Sequence, residues 1–412
     1  MENRTVLVSG ASIAGPAVAF WLRRFGFRVT VVEVAPAVRP GGQAVDIRGA
    51  ARTVVERMGL TAAVRSASVD ERGMAYVDAK GRRVVSLPAE LFGGEGIVAE
   101  IEIMRGDLTR VLVDATNDDA TKGSVEYLFD DRIAAMREDD DGVTVTFARG
   151  GTRTFDLVIG ADGVHSGVRA LAFGPESAFV RPLGGYTAYF TVPDPGNLDH
   201  WLLMYNEPGG KVVAIRPDSS GTANAGLSFT SPPLDHDRRD VAAQRRILAD
   251  AFRDVGWIAT ELVEAMHGAP DFYFDTICQV RVDRWWRGRV ALVGDAGYCA
   301  SPLSGLGTSM SLVGAYVLAG ELAGTTDHER AFARYQEVMG AYVKQCQQLP
   351  PGGIKGFAPA GRLMISMRNL SMRMMTTWPM RSIIARQFQK ADGITLPNYQ
   401  IPAEAGRNVR AC

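Results

Sequence analysis

The 412-residue sequence predicts an α/β chain. Its parts are a Rossmann-like, three-layer domain, an inserted domain of mainly antiparallel β-sheet, and a C-terminal helical segment. Three observations carry this expectation. Residues 5–33 read as strand, small-residue turn, helix and strand within about 30 residues. Short β-rich segments separated by Pro, Gly and Asn turns fill 180–280. A second junction of strand, glycine-rich turn and helix then recurs over 290–323.

In the first unit, Thr5 to Ser9 is a short apolar run rich in β-branched residues, which suits a buried parallel strand. The run breaks at Gly10-Ala11-Ser12-Ile13-Ala14-Gly15. Ala17 to Phe25 continue with a helical pattern that Gly26 stops. Arg28 to Val32 form the next strand, and Glu33 stands at its end, roughly 20 positions after the turn. Small residues let the backbone approach a pyrophosphate, and the helix start presents free N–H groups and a positive dipole end. Gly10, Ser12, Ile13, Ala14 and Gly15 are therefore candidate dinucleotide contacts, with Glu33 as acceptor for ribose hydroxyls. An ordinary βαβ turn is the competing reading, and the unit alone does not say which nucleotide binds.

The following loop carries Arg39, Asp46 and Arg48, which either neutralise phosphate and hold a ribose or are scattered surface charges. Ala50 to Met58 read as a helix closed by Gly59, and 74–87 as two strands about Lys80-Gly81. Glu102 to Asp114 read as a helix with Arg105 in its first turn. A cation opposes the dipole there, so Arg105 points to an anionic or carbonyl partner, or to a salt bridge. Val125 to Phe147 are strands around the acidic turn 138–142. A buried strand at 156–163 places Asp162 at its carboxyl end, where ligands sit in open α/β sheets.

Tyr186–Val192, Trp201–Tyr205, Val212–Ile215 and Gly226–Phe229 predict the antiparallel sheet. Arg238 to Val255 predict an exposed helix, and Phe272 to Val282 a long strand. Aromatic residues of this region, Tyr186, Tyr189, Tyr205, Phe229, Tyr273 and Phe274 among them, divide between core and a pocket for a flat ligand. Val290 to Val293 form a strand ending at Asp295, and 302–309 open a helix to about Ala323. Residues 1–72, 97–175 and 285–350 thus make the nucleotide domain. The inserted domain takes 73–96 and 176–284, and 351–412 are the C-terminal extension.

A net charge of −1 and a pI near 6.6 argue against nucleic acid as partner. Cys278, Cys299, Cys346 and Cys412 lack metal spacing and read as reduced thiols. The first strand begins too early for a signal peptide, and no uncharged apolar run reaches 18 residues. A cytoplasmic monomer or homodimer is expected. His165, His200, His236, His267 and His328 include no metal-spaced pair; each reads as structural or exposed, and no metal is expected. Residues 352–391 carry seven Lys or Arg and no acid, with Met364, Met367, Met372, Met374, Met375 and Met380 interleaved. They read either as a helix laid on the body, its methionines filling gaps, or as a basic membrane-surface helix.

Three motifs in order resemble the group A flavoprotein monooxygenases, the para-hydroxybenzoate hydroxylase family. They are G-A-S-I-A-G with Glu33, then D-L-V-I-G-A-D-G, then G-R-V-A-L-V-G-D-A followed by P-L-S-G-L-G, spanning 1–323. The resemblance implies FAD as cofactor, with NADPH or NADH and O2 as co-substrates. It implies hydroxylation of an aromatic or polycyclic small molecule through a flavin C4a-hydroperoxide. A reductase or other non-hydroxylating flavoprotein of the same fold is the alternative.

By the same resemblance the first motif holds the ADP half of FAD, and that of Asp162 serves FAD and NAD(P)H. Asp295 serves the ribityl–pyrophosphate region, and Gly305, Leu306, Gly307 and Thr308 the isoalloxazine edge. Arg105 serves the flavin's linker. The loop G-G-Q-A-V-D-I-R resembles the subgroup containing tetracycline-inactivating monooxygenases, in which the positions of Arg39 and Asp46 serve NADPH and FAD. Ser309 and Gly314 depart from the family's Asn and Asp. A flavin halogenase is disfavoured because W-x-W-x-I-P is missing. Since the flavin carries the hard step, no protein nucleophile or base is named. Arg216, at a strand end, is the candidate substrate contact.

Overall fold

The computed structural model describes residues 5–89, 101–117, 125–218, 221–375 and 389–400. Met380, Arg381, Arg386 and Cys412, and residues 90–96 of the expected inserted domain, lie outside them. The first unit is β1 (Thr5–Ser9), α1 (Ala14–Arg24) and β2 (Arg28–Glu33). Val6, Leu7 and Val8 have no exposed surface, as a strand covered on both faces requires. β3 (Ala44–Asp46), α2 (Ala50–Met58) and α3 (Thr61–Ser66) follow. Gly59 closes α2 at φ +79°, a left-handed position that favours glycine.

Next come β4 (Gly73–Val77), β5 (Arg83–Pro88), β6 (Glu102–Met104) and α4 (Arg105–Asn117). The helix expected from Glu102 therefore starts at Arg105. Glu102 to Met104 instead pair antiparallel with β3, Asp46 opposite Glu102, and bury Ile103 completely. β7 (Glu126–Phe129), β8 (Ile133–Asp139), β9 (Gly142–Phe147), β10 (Thr152–Phe155), β11 (Leu157–Gly160) and α5 (Gly167–Ala172) complete the first half.

β12 (Val180–Pro193), β13 (Trp201–Glu207), β14 (Lys211–Pro217) and β15 (Thr222–Thr230) are longer than the sequence suggests. α6 (Val241–Phe252) is shorter than expected because Asp240 caps it, accepting from the Ala243 N–H. α7 (Ala259–Met266), β16 (Tyr273–Val280), β17 (Trp286–Arg287), β18 (Val290–Leu292) and α8 (Asp295–Tyr298) come next. The chain continues with α9 (Gly307–Gly324), α10 (His328–Cys346), α11 (Gly353–Phe357) and α12 (Arg362–Met375).

One sheet runs β17-β18-β11-β1-β2-β7, parallel except for the β17–β18 pair. Ser9, Glu33, Gly160 and Leu292 consequently end strands at one common edge. α1, α4 and α9 pack together on this sheet, and the sheet β10-β9-β8 supplies a further layer through Val143, Val145 and Phe147. A second sheet runs β16-β12-β15-β14-β13-β4-β5. It is antiparallel except where β4 runs parallel to β13. Its one face packs Tyr186, Phe190, Phe229 and Phe274 against α6 and α7. Alternation turns Thr187, Tyr189, Asn224, Arg216, Tyr273 and Asp275 to the other face.

Candidate cofactor and substrate site

The three motifs meet at the common strand edge, and the contacts are too close for any other residue. A Cβ on Gly10, whose φ is +104°, would lie 2.6 Å from the Ala161 carbonyl oxygen. One on Gly15 would lie 1.8 Å from the Gly10 carbonyl oxygen. Helix α1 can therefore approach β1 only through these glycines. A Cβ on Gly294, just before α8, would sit 3.0 Å from Ala14 Cβ. No side chain caps the starts of α1 or α9, and neither first turn carries an acid. Two helix starts thus keep their N–H groups available for an anion or a carbonyl.

A cleft beside α1 is lined by Ala11, Ser12, Glu33, Val38, Arg39 and Arg105, among others. Glu33 is buried and accepts hydrogen bonds from the Ala11 N–H at 2.8 Å and the Ala35 N–H at 3.0 Å. It also pairs with Arg39 at 3.4 Å. The Arg105 guanidinium donates to Ser12 Oγ at 3.3 Å and lies against Gly42. Burial, with the neighbouring Arg39, pulls the Arg105 pKa down, the signature of a cation facing too little negative charge. A bound anion would supply that charge.

At the α9 end, Asp295 Oδ1 is 3.8 Å from where a Gly307 Cβ would stand, and Asp46 Oδ2 is 3.4 Å from that of Gly305. Two carboxylates therefore flank the glycine-rich turn Gly305–Thr308. Burial raises the pKa of Asp295, and it pushes that of Asp46 up to about 6 even though Arg48 holds Asp46 at 3.0 Å. Such carboxyls gain from hydroxyl donors brought by a ligand. Asp162 is occupied differently: it accepts from Ser166 Oγ and from the Val168 N–H at 3.1 Å, anchoring the start of α5. Burial raises its pKa as well. Arg169, fully buried, reaches the Ala296 carbonyl at 2.9 Å and ties this motif to the third.

The two departures from the family pattern have local causes. Ser309 Oγ accepts the Arg48 N–H at 3.0 Å. A Cβ on Gly314 would lie 2.1 Å from Tyr298 Oη, which is bonded to Tyr335 at 2.8 Å. The tyrosine hydroxyl fills the space that an Asp would need.

Arg216 is paired within the protein, to Glu71 at 3.0 Å and Glu102 at 3.1 Å, all three nearly buried. Burial lowers its pKa, but Glu71, Glu102 and Asp46 outweigh that and raise it. On the same face Gly226 and Ala214 lie between Tyr189 and Met204, with the Tyr189 ring against Gly226. Arg368 of α12 lies 3.9 Å over the Tyr76 ring at the far side. Sequence reasoning missed Glu71 and Glu102, which carry no local signal. The reading of His165 as structural or exposed agrees with its place, though the sequence did not name its partners. His165 bridges Asp275 and Glu176, each at 3.0 Å, with Arg238 beside the same ring nitrogen as Glu176. Tyr273 donates to Asp275 at 2.8 Å.

Residues 3–348 match the FAD binding domain family. An uncharacterized protein of Mycobacterium tuberculosis (strain ATCC 25618 / H37Rv) is 47% identical over 361 residues, 86% of this chain and 95% of that protein. A flavin-dependent monooxygenase from an unknown prokaryotic organism is 43% identical over 347 residues, 84% of this chain and 88% of its own length. The crystal structure of tetracycline destructase Tet(51) is similar at a TM-score of 0.81 and 35% identity, covering 96% of this chain and 100% of that one.

Proposed function

Because the chain belongs to the FAD binding domain family and is an FAD-dependent monooxygenase, we propose that it hydroxylates an aromatic or polycyclic small molecule, using O2 and NADPH or NADH. The observation that carries this reading is the meeting of three strand ends with the uncapped starts of α1 and α9 at one edge, facing the polar face of the second sheet. The residues present fit FAD. Gly10, Ser12, Ile13, Ala14, Gly15 and Arg105 would take the pyrophosphate, Glu33 the ribose, and Asp295 the ribityl hydroxyls. Gly305, Leu306, Gly307 and Thr308 would meet the ring system, with Asp46 and Arg48 beside it. Arg39, exposed at the cleft, suits the nicotinamide co-substrate, as does the Asp162 loop.

Bound FAD supplies the oxygen-activating redox chemistry. The chain's own residues bind, orient and exclude water. The N–H groups at the α9 start would stabilise negative charge on the cofactor's ring edge. Tyr189, Met204, Ala214 and Arg216 share the polar face of the second sheet, on which a flat ring system would lie. Free Cys278, Cys299 and Cys346 suit a reducing, cytoplasmic setting. Among the described residues no helix is long and apolar enough to cross a membrane.

The purified protein should be yellow and release FAD on acid treatment. Incubated with NADPH or NADH and a panel of phenols, polycyclic polyketides and tetracyclines, it should give a product heavier by one oxygen atom. Substrate-independent oxidation that yields only peroxide would favour a non-hydroxylating flavoprotein. A colourless protein without flavin affinity would end the reading.

A further inference from the structure

Helix α12 is amphipathic the wrong way round. Arg368 points inward, its guanidinium over the Tyr76 ring and bonded to Asn206 at 2.7 Å. Arg373 folds back on the Val84 carbonyl at 2.6 Å. Met372 packs with Phe357 and Ala358 on the sheet. The outward face instead carries Leu363, Met364, Met367, Leu370 and Met374. Among the described residues nine large apolar side chains are exposed, and these five are the only cluster of them on one element. Leu363 is 73% exposed, Met367 62% and Leu370 59%. Their spacing of four, three and four residues puts Leu363, Met367, Leu370 and Met374 in one stripe along the helix.

An apolar stripe of this size on a surface helix asks for a cover. The charge around it says which kind. Over Gly353–Met375 the charged residues are Lys355, Arg362, Arg368 and Arg373, with no Asp or Glu; Lys355 and Arg362 are exposed, Arg362 next to Leu363 on the helix. A second copy of the helix would bring like charges together with no acid on either helix to offset them. An anionic lipid surface offers apolar depth and negative charge at once.

We propose that the Leu363–Met374 face of α12, with Lys355 and Arg362, docks the protein on an anionic membrane surface. The helix lies in the headgroup plane and does not span. Leucine and methionine enter the acyl boundary while the cations meet lipid phosphates. Arg368 and Arg373 hold the helix to the sheet, so the docked element also flanks the end of the sheet beyond Tyr76. This inference does not depend on the hydroxylation reading, and its test does not use turnover.

The test is flotation of the full-length, FAD-loaded protein with vesicles of phosphatidylcholine alone or mixed equally with phosphatidylglycerol. Partitioning should be at least tenfold stronger onto the anionic vesicles and should fall when salt rises from about 0.1 to 0.5 M. A Leu363→Ser, Met367→Ser, Leu370→Ser chain should lose about tenfold or more, with melting temperature and FAD content kept. Lys355→Gln with Arg362→Gln should lose about fivefold per cation on anionic vesicles only, the equivalent of about 1 kcal/mol each. Equal partitioning of the serine chain and the parent would overturn the proposal. So would the failure of the parent to float with either vesicle. A dimer seen by light scattering that the serine changes dissolve would assign the face to a second copy instead.

Discussion

Asp295 shows how much one side chain at a strand end can decide. Burial raises its pKa, and its carboxylate stands beside Gly307, so ligand hydroxyls would relieve a desolvated acid. Asp295→Ala should lower FAD affinity roughly 5- to 150-fold, the equivalent of about 1–3 kcal/mol of lost bonding. Fluorescence titration with FAD measures this, and Asp140→Ala, on an exposed hairpin tip, should change nothing. Gly314 is a second such position. Gly314→Ala forces a Cβ against Tyr298 Oη and should cost about 1–3 kcal/mol in urea unfolding. Tyr298→Phe in the same chain should restore most of that loss; a fully additive double variant would mean that the hydroxyl is not the obstacle. The motifs around these residues were legible because glycine spacing and a terminal acid are local signals. The reasons for Ser309 and Gly314 were not, since they lie with Arg48 and Tyr298, far away in one case and across a helix pair in the other.

At the scale of elements, periodicity found α1, α2, α9 and most of the strands but misread the chain at Glu102. A three-residue strand has no period of its own, and β6 exists because β3 pairs with it. Periodicity is equally silent on the partners of His165, which joins the loop before α5 to β16 through Asp275 and to the short helix at Glu176. Burial lowers the pKa of His165, but bonds to Asp275 and Glu176 win and raise it; the His165 contact and charge hold Asp275 low against burial. A raised histidine stabilises below its unfolded pKa, about 6.5, and loses that contribution as pH climbs through the folded value. A depressed aspartate stabilises above its unfolded pKa, about 3.9, and loses its contribution as pH falls through the folded value. The pair is therefore fully effective between about pH 4 and 6.5. His165→Gln should cost about 1 kcal/mol at pH 5.5, discounted for partial exposure, and distinctly less at pH 9. Melting curves of parent and variant at the two pH values check this; an equal loss at both would show that the imidazole's charge is not what holds the contact.

Across the whole molecule, a buried charge cluster joins the second sheet to the β3–β6 ribbon. Arg216 comes from the second sheet, Glu102 from the β3–β6 ribbon beneath the cleft, and Glu71 from the connection entering β4. Removing one partner of a buried pair strands the others without water, at a cost of about 3–5 kcal/mol. Arg216→Ala should therefore lower stability by that order, because two carboxylates lose their cation together. Glu71→Gln and Glu102→Gln added to it should return much of the loss, since neutral amides are cheaper to bury. This series also separates the two roles Arg216 can have. Chemical unfolding reports the junction, while titration of the FAD-loaded protein with an aromatic substrate from the panel reports the site. If substrate affinity recovers along with stability in the triple variant, the guanidinium acts only by joining the second sheet to the ribbon. If stability returns and affinity stays down by about tenfold, as loss of a charged hydrogen bond predicts, Arg216 also touches the substrate. The junction between the second sheet and the ribbon would then be one wall of the substrate pocket.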